Sequence, residues 1–294
     1  MKIKDVFKDY LDYAEFYLEF DTWRTYKRDL KLITKVLDVM HIYDTTQLDA
    51  NIIDKLNRYL KGNTEKKNSK INDTVSTFIS SLNHSNISTK HFKMIRLKND
   101  TIGYKPLPEN ELILMLDYIE KLNTSETNNL SWVASIYIML DTGARINEVT
   151  NILTKNVDVS GRRILLEETK NGKMRIVPFG DLSADIISKI YDPNHSHLLW
   201  NYYSNIKLSR VSLHKFLKRL SDKLNLTSGN ITSHRFRKTF ATRLLKMKCP
   251  ITTIQKLLGH SSISITMRYL EIDDYMLEKD YIEHYSYNAL KKAD

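Results

Sequence analysis

Apolar residues recur every three to four positions through most of this chain, and two stretches break the rhythm. One is basic and ends in prolines, between Ser88 and Pro108. The other is a pair of strand-like runs flanking Asn171-Gly172. A period near 3.6 residues belongs to helices with one buried face. The chain is therefore constrained to two helical bodies, the second carrying one small β element. Its 294 residues allow each body a core of its own.

The first body spans 1–87 as four helices. Val6, Tyr10, Leu11, Ala14 and Leu18 mark the first, and Leu30, Ile33, Leu37 and Met40 continue a second opened at Thr22–Tyr26. Thr46 or Asp49 is placed to cap a third through Ile52, Ile53, Leu56 and Leu60. A fourth runs from about Asn68 through Ile71, Val75, Phe78 and Leu82. Residues 88–107 then read as an extended basic linker with Lys90, Lys93, Arg96, Lys98 and Lys105, because the prolines disfavour helix. Such a linker suits the backbone of a nucleic acid.

From 108 to 294 the helical pattern resumes, through Leu112, Leu116 and Ile119 and then Trp132 to Leu140. Arg162 to Glu168 and Lys173 to Phe179 read as a hairpin, since Asn-Gly tolerates the positive φ of a tight turn. Lys170 falls at or beside its tip. Residues 181–290 read as helices, the last from about Asp274 to Leu290. The expected fold is mainly α with a small antiparallel β-sheet.

A formal net charge of +10 favours a polyanionic partner. Lys207, Arg210, Lys215, Lys218 and Arg219 form a basic helical stretch that faces either DNA or water. No run of about 18 apolar residues exists to span a membrane, and the N-terminus lacks a signal peptide's apolar core. Cys249 is the single cysteine, which excludes an intramolecular disulfide or a thiolate metal cluster in one chain. These features point to the cytoplasm.

The chemistry concentrates in the last quarter. His234 and Arg237 are three residues apart on a helix, so both can face one cleft. Thr232 or Ser233 is placed to cap that helix and aim its positive end at an anion. Arg145 follows Gly143 and precedes Glu148 by three residues, which makes either an ordinary ion pair or a guanidinium held in a fixed pose. Two such arginines can hold a phosphate and stabilise the charge of its transition state. His260 follows a glycine and is expected at a helix start, and Tyr269 lies nine residues on.

Taken in order, Arg145, Lys170, His234-x-x-Arg237, His260 and Tyr269 resemble the catalytic set of the tyrosine recombinases, or phage-type integrases. The local contexts match as well. They are Thr-Gly-Ala-Arg-Ile-x-Glu, the Lys170-x-Gly-Lys-x-Arg-x-Val-Pro hairpin, and Leu-Gly-His-Ser-Ser-Ile before Tyr269. The likeness covers about 108–290, and the N-terminal module resembles the family's core-DNA-binding domain more weakly. Lys238 stands where many members carry a second histidine after His-x-x-Arg, and it adds a cation expected near DNA. The chain starts directly at the helical module, as the smaller Xer-like members do.

The resemblance implies a site-specific recombinase acting on double-stranded DNA without ATP or metal. Tyr269 would attack a phosphodiester and form a 3′-phosphotyrosyl enzyme. His234 would accept the phenolic proton, because a phenol has a pKa near 10. Lys170 would protonate the leaving 5′-oxygen, and Arg145, Arg237 and His260 would hold the phosphate. A homotetramer on paired DNA sites is expected, with the C-terminal helix packing on its own or a neighbouring subunit. Accessory DNA-binding proteins and a nucleoid location fit the same picture. A type IB topoisomerase and a decayed DNA-binding regulator are the alternative functions.

Overall fold

The computed structural model describes residues 1–98, 105–122, 127–167 and 174–267. Lys170, Tyr269 and the helix expected over 274–290 lie outside the described residues. The chain divides into two compact units, Met1–Ile102 and Gly103–Asp294.

The first unit contains α1 (Ile3–Tyr17), α2 (Phe20–Val39), α3 (Ile52–Asn63) and α4 (Asn68–His84). Their apolar stripes meet in one core that buries Val6, Ile33, Leu56, Leu60, Phe78 and Leu82. The caps differ from expectation. Asp44 caps a short turn at Thr45–Gln47, and α3 starts after Asn51. Asp49 still serves locally, accepting the Asn51 N–H at 2.9 Å and pairing with Lys55.

The stretch expected as an extended basic linker is anchored at both of its described ends. In the first unit Phe92 is buried in the helical core, and the Lys93 N–H donates to the Ala50 carbonyl at 2.8 Å. In the second unit Leu107 is buried and its N–H donates to Thr239 Oγ1 at 2.9 Å. An apolar side chain is buried at each end while the basic side chains stay outside. Lys90, Lys93, Arg96, Lys98 and Lys105 all remain exposed.

The second unit begins with α5 (Glu109–Leu122), α6 (Thr127–Thr142) and α7 (Ile146–Thr150). Every residue of α6 from Val133 to Met139 is buried, because α8 (Asp181–Ile190) and α10 (Ser233–Lys246) both pack on it. A sheet in the order β1 (Val157–Asp158), β2 (Arg163–Glu167) and β3 (Met174–Pro178) is antiparallel throughout. The β2–β3 hairpin is in register from Arg163 opposite Pro178 to Glu167 opposite Met174. The pairing around Asn171-Gly172 is as the sequence predicts, while the tip itself is not among the described residues.

Helices were expected throughout 181–290, yet β4 (Trp200–Asn201) pairs with β5 (Ile206–Lys207). Two residues per strand leave too short a period to read, and Asn205 supplies the positive φ of the turn. α9 (Arg210–Lys223), α11 (Ile251–Leu258) and α12 (Ile263–Met267) complete the unit. Among the described residues no helix is long and apolar enough to cross a membrane.

Candidate functional site

Thr232 caps α10, its hydroxyl accepting the Arg235 N–H. That fixes the first turn and presents His234 as an exposed imidazole. Arg237 sits almost one turn further on and is only 1% exposed. Its guanidinium is held by acceptors from two other segments. Nη1 donates to the Gly143 carbonyl at 2.7 Å, and Nη2 donates to the Leu258 carbonyl at 2.6 Å and to His260 Nε2 at 2.9 Å.

The close approach of these segments explains Gly143. Its φ is +61°, and a Cβ there would lie 2.5 Å from Phe240 Cδ1 and 2.9 Å from Leu258 Cδ2. A side chain would meet both strain and collision. The glycine lets the end of α6 reach α10 and turn at once into α7, which opens on Arg145.

Arg145 and Glu148 form more than the ordinary helical ion pair the spacing allowed. Glu148 accepts the Arg145 N–H at 2.7 Å and Arg145 Nη1 at 3.0 Å. From β3, Arg175 donates Nη1 and Nη2 to the two oxygens of the same carboxylate, each at 2.9 Å. Arg175 Nε also donates to the Leu257 carbonyl at 2.8 Å, which ties the hairpin to α11. One buried carboxylate therefore orients two guanidinium groups from different elements.

α11 ends at Gly259, whose φ of +69° is the left-handed close of a helix. As the sequence predicts, His260 lies just past a helix end and its glycine turn, three residues before α12 begins, with its N–H on the Gln255 carbonyl at 3.1 Å. The left-handed glycine directs the chain back over that helix end. His260 Nδ1 lies 2.9 Å from Thr266 Oγ1. Arginine can only donate, so Nε2 is the acceptor and the ring proton sits on Nδ1, donating to Thr266. In this arrangement His260 orients Arg237 and offers no proton at Nε2.

The cluster is strongly positive, and its titrations follow from that. Burial, then the charges of Arg237, Arg145 and Arg175, push His260 down to about 3, so it is neutral near pH 7. His234 is also lowered, first by loss of hydration and then by Arg237, Arg145 and His214. Burial alone would raise Glu148, but its hydrogen bonds and the charges of Arg175 and Arg145 bring it below the usual carboxylate range. Both imidazoles thus stay unprotonated beside two or more guanidinium charges.

Arg145, Arg237 and His260 belong to one group, and His234 lies near enough for the charges of Arg237 and Arg145 to act on it. Arg175 joins it through Glu148, and Arg235 braces the start of α10 from outside it. Arg175 lies inside the quoted hairpin motif, which was the signal for it. Arg235, between His234 and Arg237, turns its guanidinium to the Lys105, Pro106, Gly229 and Asn230 carbonyls and to Ser228 Oγ. Lys238, expected near DNA, is only 4% exposed because α10 is enclosed on nearly every side from Arg235 to Thr242. A side chain so enclosed does not present its charge to a duplex. Lys215 is exposed and Arg210 half-buried on α9.

Residues 105–275 match the Phage integrase family. A probable integrase/recombinase of Acholeplasma phage L2 is 28% identical over 96% of this chain and 97% of its own length. Tyrosine recombinase XerC of Listeria monocytogenes serotype 4b (strain F2365) is 29% identical, with 97% of each chain covered. Among solved structures, the Tn1549 transposon integrase in complex with transposon right end DNA superposes with a TM-score of 0.76 at 16% identity, covering 97% of this chain and 100% of that one. A lambda integrase dimer bound to a COC′ core site superposes with a TM-score of 0.70 at 16% identity, over 92% of this chain and 77% of that one. The match in sequence over more than half its length, with the same architecture, places the chain in the phage integrase family, the tyrosine recombinases.

Proposed function

We propose that this chain cleaves and rejoins duplex DNA through a 3′-phosphotyrosyl bond to Tyr269. The observation that carries the reading is the convergence of Arg145, Arg237 and a neutral His260, held through Gly143, Glu148 and Leu258, with His234 near enough to feel the charges of both arginines. Arg145 and Arg237 would offset the charge that builds on a phosphodiester as the phenolic oxygen attacks phosphorus. His234, exposed and unprotonated, would take the phenolic proton. The P–O5′ bond breaks, and Lys170 would give its proton to the departing 5′-oxygen. His260 holds Arg237 in place. The phosphotyrosyl bond retains the energy of the phosphodiester, so rejoining needs no ATP.

Exchange between two sites needs four cleavages, and hence a tetramer of this chain on paired duplexes. The relatives' names support recombination, and the Tn1549 and lambda integrase structures are DNA complexes. The setting is the cytoplasm, on the nucleoid or an integrating element, with accessory DNA-binding proteins as further partners.

Incubation with nicked attachment-site DNA tests the reaction. A covalent adduct that disappears in Tyr269→Phe is expected, whereas binding with no adduct would leave only a DNA-binding regulator. Strand exchange between two sites, set against relaxation of a single plasmid, then separates recombinase from topoisomerase.

A further inference from the structure

We infer that Asn57, Asn68 and Asn72 form an amide ladder that pre-orders the basic strap 90–98 for a DNA phosphate backbone. The inference rests on the DNA-binding reading above. Asparagine is a poor helix former because its side chain competes for backbone hydrogen bonds. Yet Asn57 lies on the buried face of α3 at 2% exposure, and Asn68 and Asn72 lie in α4. Their amides reach out of the helices to the strap. Asn57 Nδ2 donates to the Ile95 carbonyl at 2.8 Å, and Asn68 Nδ2 to the Lys98 carbonyl at 2.8 Å. Asn72 uses both ends, with Nδ2 on the Leu97 carbonyl at 2.9 Å and Oδ1 accepting the Leu97 N–H at 3.0 Å.

Every one of these bonds goes to main chain. The strap is held at Ile95, Leu97 and Lys98, and also at Phe92 and Lys93, while Lys90, Lys93, Arg96 and Lys98 keep their side chains exposed. No acidic residue occurs between Asp73 and Asp100 to neutralise them. Asn57 also leaves its Oδ1 buried without a hydrogen-bond partner, a cost that a leucine in the core would avoid. A row of outward cations on a fixed backbone lowers the ordering cost of binding a polyanion. The asparagines are thus positioning residues, acting through the strap they hold.

The test compares the full chain with Asn72→Ala, Asn57→Ala and Arg96→Gln on a short random-sequence duplex across a salt series. Hydrogen exchange at the Leu97 amide reports release of the strap. The asparagine variants are expected to bind about 5- to 20-fold more weakly with an unchanged salt slope, since all four cations remain. Arg96→Gln should lower the slope by about one. If Asn72→Ala fails to fold, Asn68→Ala at the start of α4 carries the comparison. A freed Leu97 amide with unaltered DNA affinity would overturn the ladder while leaving DNA binding intact. An asparagine variant whose slope drops as in Arg96→Gln would overturn it too, by making the amide itself the phosphate contact. Failure of the parent chain to bind any duplex would remove the DNA reading and the ladder with it.

Discussion

Arg175 and Glu148 meet end to end, two nitrogens on two oxygens, each at 2.9 Å. Glu148 is therefore shared between β3 and the start of α7, where it also takes the main chain and side chain of Arg145. A surface ion pair would contribute little, but Glu148 and Arg175 are only 5% and 12% exposed. Removing one member of a buried pair leaves the other charge uncompensated.

Glu148→Gln should accordingly destabilise the second unit by about 3–5 kcal/mol. Urea denaturation gives this directly. The same variant should slow adduct formation, because Arg145 loses its fixed pose. Arg175→Lys should recover little of the stability, since an ammonium cannot match both carboxylate oxygens. A Gln variant as stable as the parent would show that the carboxylate is not the organising group.

His260 makes stability depend on pH in a defined direction. Unfolded, an imidazole titrates near 6.5, whereas folded His260 titrates at about 3. Between these values the unfolded chain binds the extra proton, so the contribution is complete above about pH 6.5 and is lost as pH falls toward 3. Its slope is on the order of 1.4 kcal/mol per pH unit within that window. Carboxylates titrate there as well, so the useful quantity is the stability difference between parent and His260→Gln. That difference should shrink steadily on acidification below about pH 6.5, and a constant difference would mean His260 is not held neutral.

The described helices of both units and the β2–β3 pairing were legible because burial on one face imprints a period, and because Asn-Gly between two strand-like runs is a strong hairpin signal in the sequence. The four described site residues were legible from spacing and from the family resemblance. Arg175 was marked only by the hairpin motif and not by periodicity, because its strand inverts the usual pattern. Met174 and Ile176 face out at 66% and 62% exposure, and the arginine faces in to meet Glu148. Lys238 misled for a related reason. From Arg235 to Thr242, α10 is rich in charged and hydroxyl side chains yet buried, because Arg235, Arg237 and Thr239 bond to main chain rather than to water. The anchoring of 88–98 was equally unreadable, since it depends on asparagine amides more than 20 residues away in sequence.

Arg235 offers the clearest separation of scaffold from chemistry within one helix. Its side chain leaves α10 and donates to four carbonyls and to Ser228 Oγ, the last at 2.6 Å. Glu111 stands behind this arrangement, accepting the Thr227 hydroxyl together with the Ser228 N–H and hydroxyl. Arg235→Met keeps much of the apolar stem but strips every donor, and buried carbonyls then lose their partners. The expected loss is about 2–4 kcal/mol in urea denaturation. It should come with faster hydrogen exchange at the Leu107 amide, because the Lys105 and Pro106 carbonyls are no longer tied to the start of α10. Arg235→Lys should restore only part of this, since a single ammonium cannot span acceptors on two segments. If Arg235→Met leaves both the unfolding midpoint and the Leu107 exchange rate unchanged, the guanidinium is not what fastens residues 105–107 to α10.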